Sequence, residues 1–336
     1  MKYKKVGKSG LITSSMTLGT MIFGETSARS TSKADAEAII KRFVDAGGNH
    51  IDTADVYAQG ASEQIVGEAI RGIRDKLIVA TKVNFPMGEA INQRGLSRDY
   101  IFKAVEASLK RLKTDYIDLY YMHCLDPLTP MEESLRAFDD IVRMGKVRYI
   151  AVSNFKAWQL MKALATSDKN CWSRFVTGQF QYSLVKRDIE YEFEDLLDNE
   201  GVGLTVWSPL GGGFLSGKYT KGEKPSDGRI ATMTDENEES WARRSTNKNW
   251  KILQVVESLA KQKSASCSQI ALAWLLAKDL VSSIILGVRT MEQLEDNLQA
   301  SEIVLSTEEI EQLDDVSKLD ELYPYRFIRD YSNRTL

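Results

Sequence analysis

Four side chains suited to proton transfer stand near the ends of three short apolar runs. HIDTADVY at 50–57 carries Asp52 and Tyr57, VATKV at 79–83 carries Lys82, and DLYYMHC at 118–124 carries His123. A phenol with an ordinary pKa near 10 keeps its proton at pH 7 and can donate it. A lysine cation beside it favours the phenolate and lowers that pKa, and an aspartate can hold the lysine in place. A histidine can donate a hydrogen bond to an oxygen that gains negative charge. Singly, each residue has a plainer explanation. A strand-end aspartate caps a turn, a tyrosine packs, a lysine is a solvated flank, and a histidine is satisfied near a core. The chemistry therefore depends on whether the fold brings the four together.

The rest of the chain says how that could happen. Short apolar strands alternate with helices, which argues for βαβ units and a parallel sheet. A hairpin is expected at 3–12. Strands are then expected at 15–18, 49–52, 77–81, 116–122, 149–152, 176–180, 203–207 and 283–286. Helices are expected from Ser32, a good N-cap, to Gly47, then at 62–71, 98–111, 131–143, 157–165 and 189–199. Further helices are expected at 250–262, 267–277, 291–300 and 307–316, and the stretch 220–248 reads as a long polar loop without structure. Eight strand–helix units make an α/β protein, a (β/α)8 TIM barrel with an N-terminal hairpin, extra helices and a long loop after strand seven. The expected layout is one domain over 1–336, with the barrel at about 13–318 and a tail at 319–336. In this fold active sites lie at the C-terminal ends of the strands. Neighbouring strand tips are about 4.8 Å apart, so the ends of strands two, three and four would present Asp52, Tyr57, Lys82 and His123 on one rim.

Composition narrows the class of partner. The 336 residues are 43% hydrophobic and 27% charged, with net charge −3, a globular balance with no basic excess for nucleic acid or an anionic membrane. Three scattered cysteines, Cys124, Cys171 and Cys267, give no disulfide framework or zinc spacing, and two histidines further weaken a metal reading. The start, MKYKKVGKSGL, lacks the apolar stretch of a signal peptide, and no run of about 18 apolar residues suggests a membrane span. A cytoplasmic protein, monomeric or homo-oligomeric, is expected. No GxGxxG follows a first strand, so a Rossmann site is not indicated. GGGFLSG at 211–217 follows strand seven, where barrels often bind phosphate, and glycine lets backbone N–H groups approach it closely.

HIDTADVY, VATKV, TDYIDLYYMHC, RYIAVSNF, VWSPLGGGFLSGKY and ILGVRTMEQLEDN, in that order at strand ends, give the chain a family likeness. It resembles an aldo-keto reductase, of the branch that also contains the voltage-gated potassium channel β subunits. The resemblance implies that Asp52, Tyr57, Lys82 and His123 are the catalytic tetrad. Tyr57 would be the acid, Lys82 its tuner, Asp52 the anchor and His123 the partner of the carbonyl oxygen. It also implies a dinucleotide site, with Ser153, Asn154 and Gln179 on the nicotinamide carboxamide and Trp207 stacked on the ring. Gly19, Thr20 and Met21 would border the nicotinamide next to Asp52, and many relatives have tryptophan where Met21 stands. Ser208, Pro209, Leu210, Gly211, Lys218 and Arg229 would meet the pyrophosphate. The adenosine end would fall on Gly287, Arg289, Gln293, Asp296 and Asn297, with Thr290 capping a helix whose free N–H groups suit an anion. A 2′-phosphate fits that setting, which favours NADPH over NADH. Many relatives carry lysine in place of Gly287 and arginine in place of Gln293, so this chain offers fewer cations.

The resemblance implies NADPH-dependent reduction of an aldehyde or ketone to an alcohol, with a small-molecule carbonyl or alcohol as the partner and no metal. The same residues serve oxidation of an alcohol or sugar hydroxyl, and an NADP-binding redox-sensing regulatory subunit is a second class. Substrate choice would lie in the loops 85–93, 125–129 and 220–248 and in the aromatic tail, which could shape the pocket or dock on a helix. Trp241 and Trp250 could line the pocket or merely pack. Cys124 is expected to be a buried, inert thiol.

Overall fold

The computed structural model describes residues 1–24 and 30–332. The chain opens with an antiparallel hairpin of β1 (Tyr3–Lys5) and β2 (Ile12–Ser14), followed by β3 (Met16–Gly19). Strands and helices then alternate: α1 (Lys33–Asp45), β4 (His50–Asp52), α2 (Ala61–Ala69), β5 (Ile78–Val83), α3 (Arg98–Leu112) and β6 (Ile117–Met122). The alternation continues through α4 (Met131–Arg143), β7 (Val147–Ser153), α5 (Ala157–Asn170), β8 (Phe175–Gln181), α6 (Phe193–Glu200) and β9 (Gly203–Trp207). Two short helices, α7 (Arg229–Thr232) and α8 (Trp241–Arg244), precede α9 (Asn247–Lys263) and α10 (Cys267–Leu276). The chain ends with β10 (Val281–Gly287), α11 (Met291–Gln299), α12 (Thr307–Ser317) and α13 (Tyr325–Tyr331). The eight strands β3 to β10 pair in parallel and close, β10 lying between β9 and β3. The expected (β/α)8 barrel with its hairpin is the observed fold.

Strand alternation sorts the side chains into two layers. Val79, Val83, Tyr120, Met122, Ile150 and Val152 join the large apolar cluster between strands and helices. Their alternating neighbours Ile78, Ala80, Leu119, Tyr121 and Ala151 form a second, smaller cluster inside the barrel. Asp52 and Lys82 continue this inner row toward the C-terminal ends, and the register aligns Asp52 with Gly19 and Ala80, and Lys82 with Tyr121. The hairpin packs at the opposite end, where Lys4 Nζ donates to the carbonyls of Leu276, Lys278 and Val281 at 3.3, 3.1 and 2.9 Å.

Several expected segments differ from the structure: α5 runs on to Asn170, the helix expected at 189–199 is a 3₁₀ turn followed by α6, and three others differ as follows. The stretch 220–248 is not structureless: it holds α7 and α8, anchored by fully buried Ile230 and capped by Ser240, whose hydroxyl accepts from the Arg243 amide. Its anchors are too sparse to give a helical period. Helix α9 begins at Asn247, because Thr246 accepts from the Asn249 amide before the first apolar residue, Trp250. The aromatic tail forms α13 and docks on the segment before α6. Tyr325 stacks on Tyr191 with ring centroids 5.1 Å apart and donates to Glu192 at 3.1 Å.

Helix α2 runs so close to the end of α3 that a Cβ at Gly67 would stand 2.5 Å from the Leu112 carbonyl oxygen. Gly67→Ala should therefore cost about 1–3 kcal/mol despite its better helix propensity. Chemical denaturation of the two proteins checks this, and equal or greater stability in the variant would contradict the packing.

Candidate active site

Lys82 ends β5 inside the barrel with no solvent exposure. Its Nζ donates to Asp52 Oδ2 at 2.6 Å, to the Thr53 carbonyl at 2.8 Å and to Tyr57 Oη at 3.3 Å. The other Asp52 oxygen accepts from Gln179 Nε2 at 2.8 Å, across the barrel from β8. The ammonium thus has a counter-ion and two further acceptors, which a buried charge requires. Tyr57 begins a 3₁₀ turn, Tyr57–Gly60, in which Ala58 and Gln59 adopt left-handed φ of 46° and 51°. Such angles are costly for residues with a Cβ, and the turn they make returns the chain to α2 with the phenol facing Lys82. His123 follows β6. Its ring stands edge-on to Tyr57 at 5.9 Å and to Phe85 at 4.7 Å between centroids. The structure therefore brings all four predicted residues to one rim.

The electrostatics are set by burial. Burial pushes the Lys82 pKa down, but Asp52 and Tyr57 outweigh it and the net direction is up. Burial raises the Tyr57 pKa and Lys82 opposes this without reversing it, so the expected net lowering by lysine is not what the site shows. Burial, with help from Lys82, holds His123 well below the usual histidine value. At neutral pH the rim presents a protonated phenol, a charged ammonium and a neutral imidazole whose Nδ1 has no hydrogen-bond partner.

Some of the residues expected to hold a dinucleotide are bonded to this group: Thr20, Asn154 and Gln179 directly, and Ser153 through Gln179. Ser153 Oγ donates to the Gln179 carbonyl at 2.7 Å, and Asn154 Nδ2 donates to the His123 carbonyl at 2.9 Å. Trp207 ends β9, with its indole N–H unpartnered. Thr20 is buried and donates to the Asp52 carbonyl at 3.1 Å, and Met21 follows, half-buried. After Ser208-Pro209-Leu210 come three glycines, Gly211 to Gly213, all with positive φ of 59°, 71° and 92°. This is a backbone course that glycine alone follows without strain, and it suits close approach of a phosphate. Lys218 is exposed at the end of this loop, and Arg229 pairs with Glu239 at 2.7 Å. At the far side Gly287 aligns with Gly19. Thr290 caps α11, and Gln293 returns its side chain to the Arg289 amide at 2.8 Å. Asn297 is buried in the next turn, while Asp296 is engaged with α10 through Ser266 and Gln269 at 2.9 and 2.8 Å.

Two participants escaped sequence reading. Glu239 is almost fully buried and accepts from the Ser208 hydroxyl, yet in the run DENEES it looks like any solvated acid. Asp55, in HIDTADVY itself, is 1% exposed, and among the described residues its carboxylate oxygens make no hydrogen bond of good geometry, although the Val56 amide is near enough to oppose the effect of burial. Cys124 is only half-buried, with Sγ 3.8 Å from the Asn154 carbonyl, and burial raises its pKa, so it stays a thiol.

This geometry coincides with a family signature, since the aldo/keto reductase family model matches residues 15–318. The chain belongs to the aldo/keto reductase family. It is 38% identical over 327 residues to an uncharacterized oxidoreductase, YrpG, of Bacillus subtilis, covering 94% of this chain and 96% of that one. It is 36% identical over 311 residues to a probable voltage-gated potassium channel subunit beta of Arabidopsis thaliana, covering 90% and 92%. It is 33% identical over 324 residues to an L-glyceraldehyde 3-phosphate reductase of Escherichia coli, covering 94% and 92%. Family membership makes this an oxidoreductase.

Burial, with the Glu63 carboxylate next in effect, raises the Asp55 pKa to about 8 from an ordinary value near 4. The folded protein then binds a proton that the unfolded chain has released. This stabilisation is complete below about pH 4 and is lost as pH rises toward 8. Asp55→Asn, a neutral near-isostere, should gain roughly 2–5 kcal/mol over the parent between pH 4 and 8. Denaturant melts across that range check it, and a pH-independent difference would contradict it.

Proposed function

We propose that the chain is an NADPH-dependent reductase of aldehydes or ketones, with Asp52, Tyr57, Lys82 and His123 as its catalytic residues. The observation that carries this reading is the protonated, buried phenol of Tyr57 within 3.3 Å of the Lys82 ammonium. When bound, a reduced nicotinamide supplies the hydride. Ser153, Asn154 and Gln179 would hold its carboxamide, Trp207 its ring, and Gly19, Thr20 and Met21 would border it. The loop from Ser208 through Gly211, with Lys218 and Arg229, would hold the pyrophosphate, and Gly287, Arg289, Gln293, Asp296 and Asn297 the adenosine end. The unpartnered Trp207 N–H and the glycine cradle agree with such a ligand. The 2′-phosphate preference rests on Arg289 beside the N-terminus of α11.

The chain's own residues handle the proton. The carbonyl oxygen sits between Tyr57 Oη and the His123 ring. Neutral His123 donates a hydrogen bond and does not compete as an acid. Tyr57 gives its proton to the oxygen as negative charge develops there. Lys82 then stabilises the phenolate that remains, and Asp52 keeps the ammonium charged and fixed. Burial raises the phenol pKa in the resting site, so the lysine acts mainly on the ionised form. The reverse sequence oxidises an alcohol or sugar hydroxyl with the same groups. The three free cysteines agree with a reducing, cytoplasmic setting.

Similarity to potassium channel β subunits supports a second reading, an NADP-binding redox-sensing subunit that turns over slowly. Cofactor release measured by stopped flow separates the two. Release slower than minutes with no turnover across many carbonyls selects the regulator.

Tyr57→Phe should lower the rate of aromatic-aldehyde reduction about 10²–10⁴-fold, followed by nicotinamide absorbance, with NADPH affinity within about threefold of the parent. Full turnover in that variant would discard the mechanism.

A further inference from the structure

Ser62 lies fully buried in the first turn of α2, just past the turn that carries Tyr57. Its hydroxyl stands where three segments meet. Oγ donates to the Thr20 carbonyl, in the loop after β3, at 2.8 Å. It lies 2.7 Å from Thr20 Oγ1 and 2.9 Å from Thr53 Oγ1, which follows β4. A carbonyl can only accept, so the one hydrogen of Ser62 goes to Thr20. Toward Thr53 the serine oxygen is therefore the acceptor and the Thr53 hydroxyl the donor. Among the described residues this is the one hydrogen bond of the Thr53 side chain.

The bond joins residues nine apart in the chain, with Tyr57 between them. It closes the tyrosine loop at both ends, where the chain leaves β4 and where it enters α2. Thr53 is itself fixed to the site: its amide donates to the Ala80 carbonyl at 2.9 Å, and its carbonyl accepts from Lys82 Nζ at 2.8 Å. Inside the loop the left-handed Ala58 and Gln59 oppose the closed course, and such a turn persists only where its surroundings hold it. The loop's own backbone bonds are long, with the Tyr57 amide 3.2 Å from the Ala54 carbonyl and the Asp55 amide 3.2 Å from the Lys82 carbonyl. Ser62 also joins this closure to the cofactor side, since the Thr20 amide and hydroxyl both donate to the Asp52 carbonyl, at 3.0 and 3.1 Å.

We propose that Ser62 is a positioning residue for the reaction: by accepting from Thr53 it clasps the loop of Tyr57 and holds the phenol against the Lys82 ammonium. The inference rests on the reductase reading. The Ser62 hydroxyl bonds to none of the four catalytic side chains, so it acts through Thr53 and the loop. With the clasp released, the turn relaxes and Tyr57 Oη draws away from Lys82. That raises the phenol pKa further and misplaces the proton donor.

The test compares Ser62→Ala, Thr53→Val and Thr53→Ser with the parent, each as the full chain. Thermal melts establish that each variant is folded, and Thr53→Val reads the same bond from its other end if Ser62→Ala does not fold. Rates of aromatic-aldehyde reduction come from single turnovers of chain preloaded with NADPH, and the pH profile from oxidation of the matching alcohol with NADP⁺. Ser62→Ala and Thr53→Val should each slow the single turnover about tenfold or more, and the double variant no further than the slower of the two. In both, the acid limb of oxidation should move to higher pH, because the phenolate that accepts the proton has lost part of its lysine. Thr53→Ser keeps the hydroxyl and should behave as the parent. Losses that multiply in the double variant, an unmoved acid limb, or an equal loss in Thr53→Ser leave Ser62 a packing role and overturn the proposal. Variants that match an active parent in rate and profile overturn this inference alone. A parent that turns over no carbonyl overturns the reductase reading, and this inference with it.

Discussion

A lysine that water cannot reach is a cation only if the protein supplies its counter-charge. Lys82 meets that condition through Asp52, and the rest of the rim is arranged by the same contact. The carboxylate that holds the ammonium with one oxygen holds Gln179 with the other, so β4, β5 and β8 are tied through one group. The ammonium in turn reaches Tyr57, which lies beyond the end of its strand and would otherwise be placed only by a strained turn. Removing one partner of such a pair typically costs about 3–5 kcal/mol, because the other charge stays buried. That cost is the penalty of a stranded charge and not a net gain from the pair, whose effect is to fix position.

The barrel makes this contact possible. Parallel register aligns Asp52 with Ala80, two residues before Lys82, so the longer lysine side chain bends back to the carboxylate from the next strand. Below them the inner row is filled by the buried cluster of Ile78, Ala80, Leu119, Tyr121 and Ala151. Burial of the rim sets the pKa directions: it raises the phenol and lowers the imidazole, giving one group that can give up a proton and one that only hydrogen-bonds.

The sequence announces some of this through the period of its side chains. Eight apolar runs with helices between them are a signal repeated along the whole chain, and the barrel follows from it. The convergence of Asp52, Tyr57, Lys82 and His123 on one rim is legible because Asp52, Lys82 and His123 fall at run ends, which this fold gathers at one mouth. The residues that stayed hidden are those whose meaning depends on a long-range partner. Glu239 sits in an acidic run and becomes a buried acceptor only when Arg229 and Ser208 arrive. Asp55 is one more polar residue in HIDTADVY, and its burial near Glu63 of α2 and Arg111 of α3 is set at long range. Helices α7 and α8 have too few apolar residues to mark a period. The net effect of burial on Tyr57 follows from a competition of magnitudes, which residue types alone do not decide.

A crystal structure of the chain with NADP⁺ tests the central claim most directly. The account predicts Lys82 Nζ still between Asp52 and Tyr57, with the nicotinamide against Trp207 and its carboxamide on Ser153, Asn154 and Gln179. A dinucleotide seated elsewhere, or a Tyr57 hydroxyl turned away from both Lys82 and the nicotinamide, would contradict it.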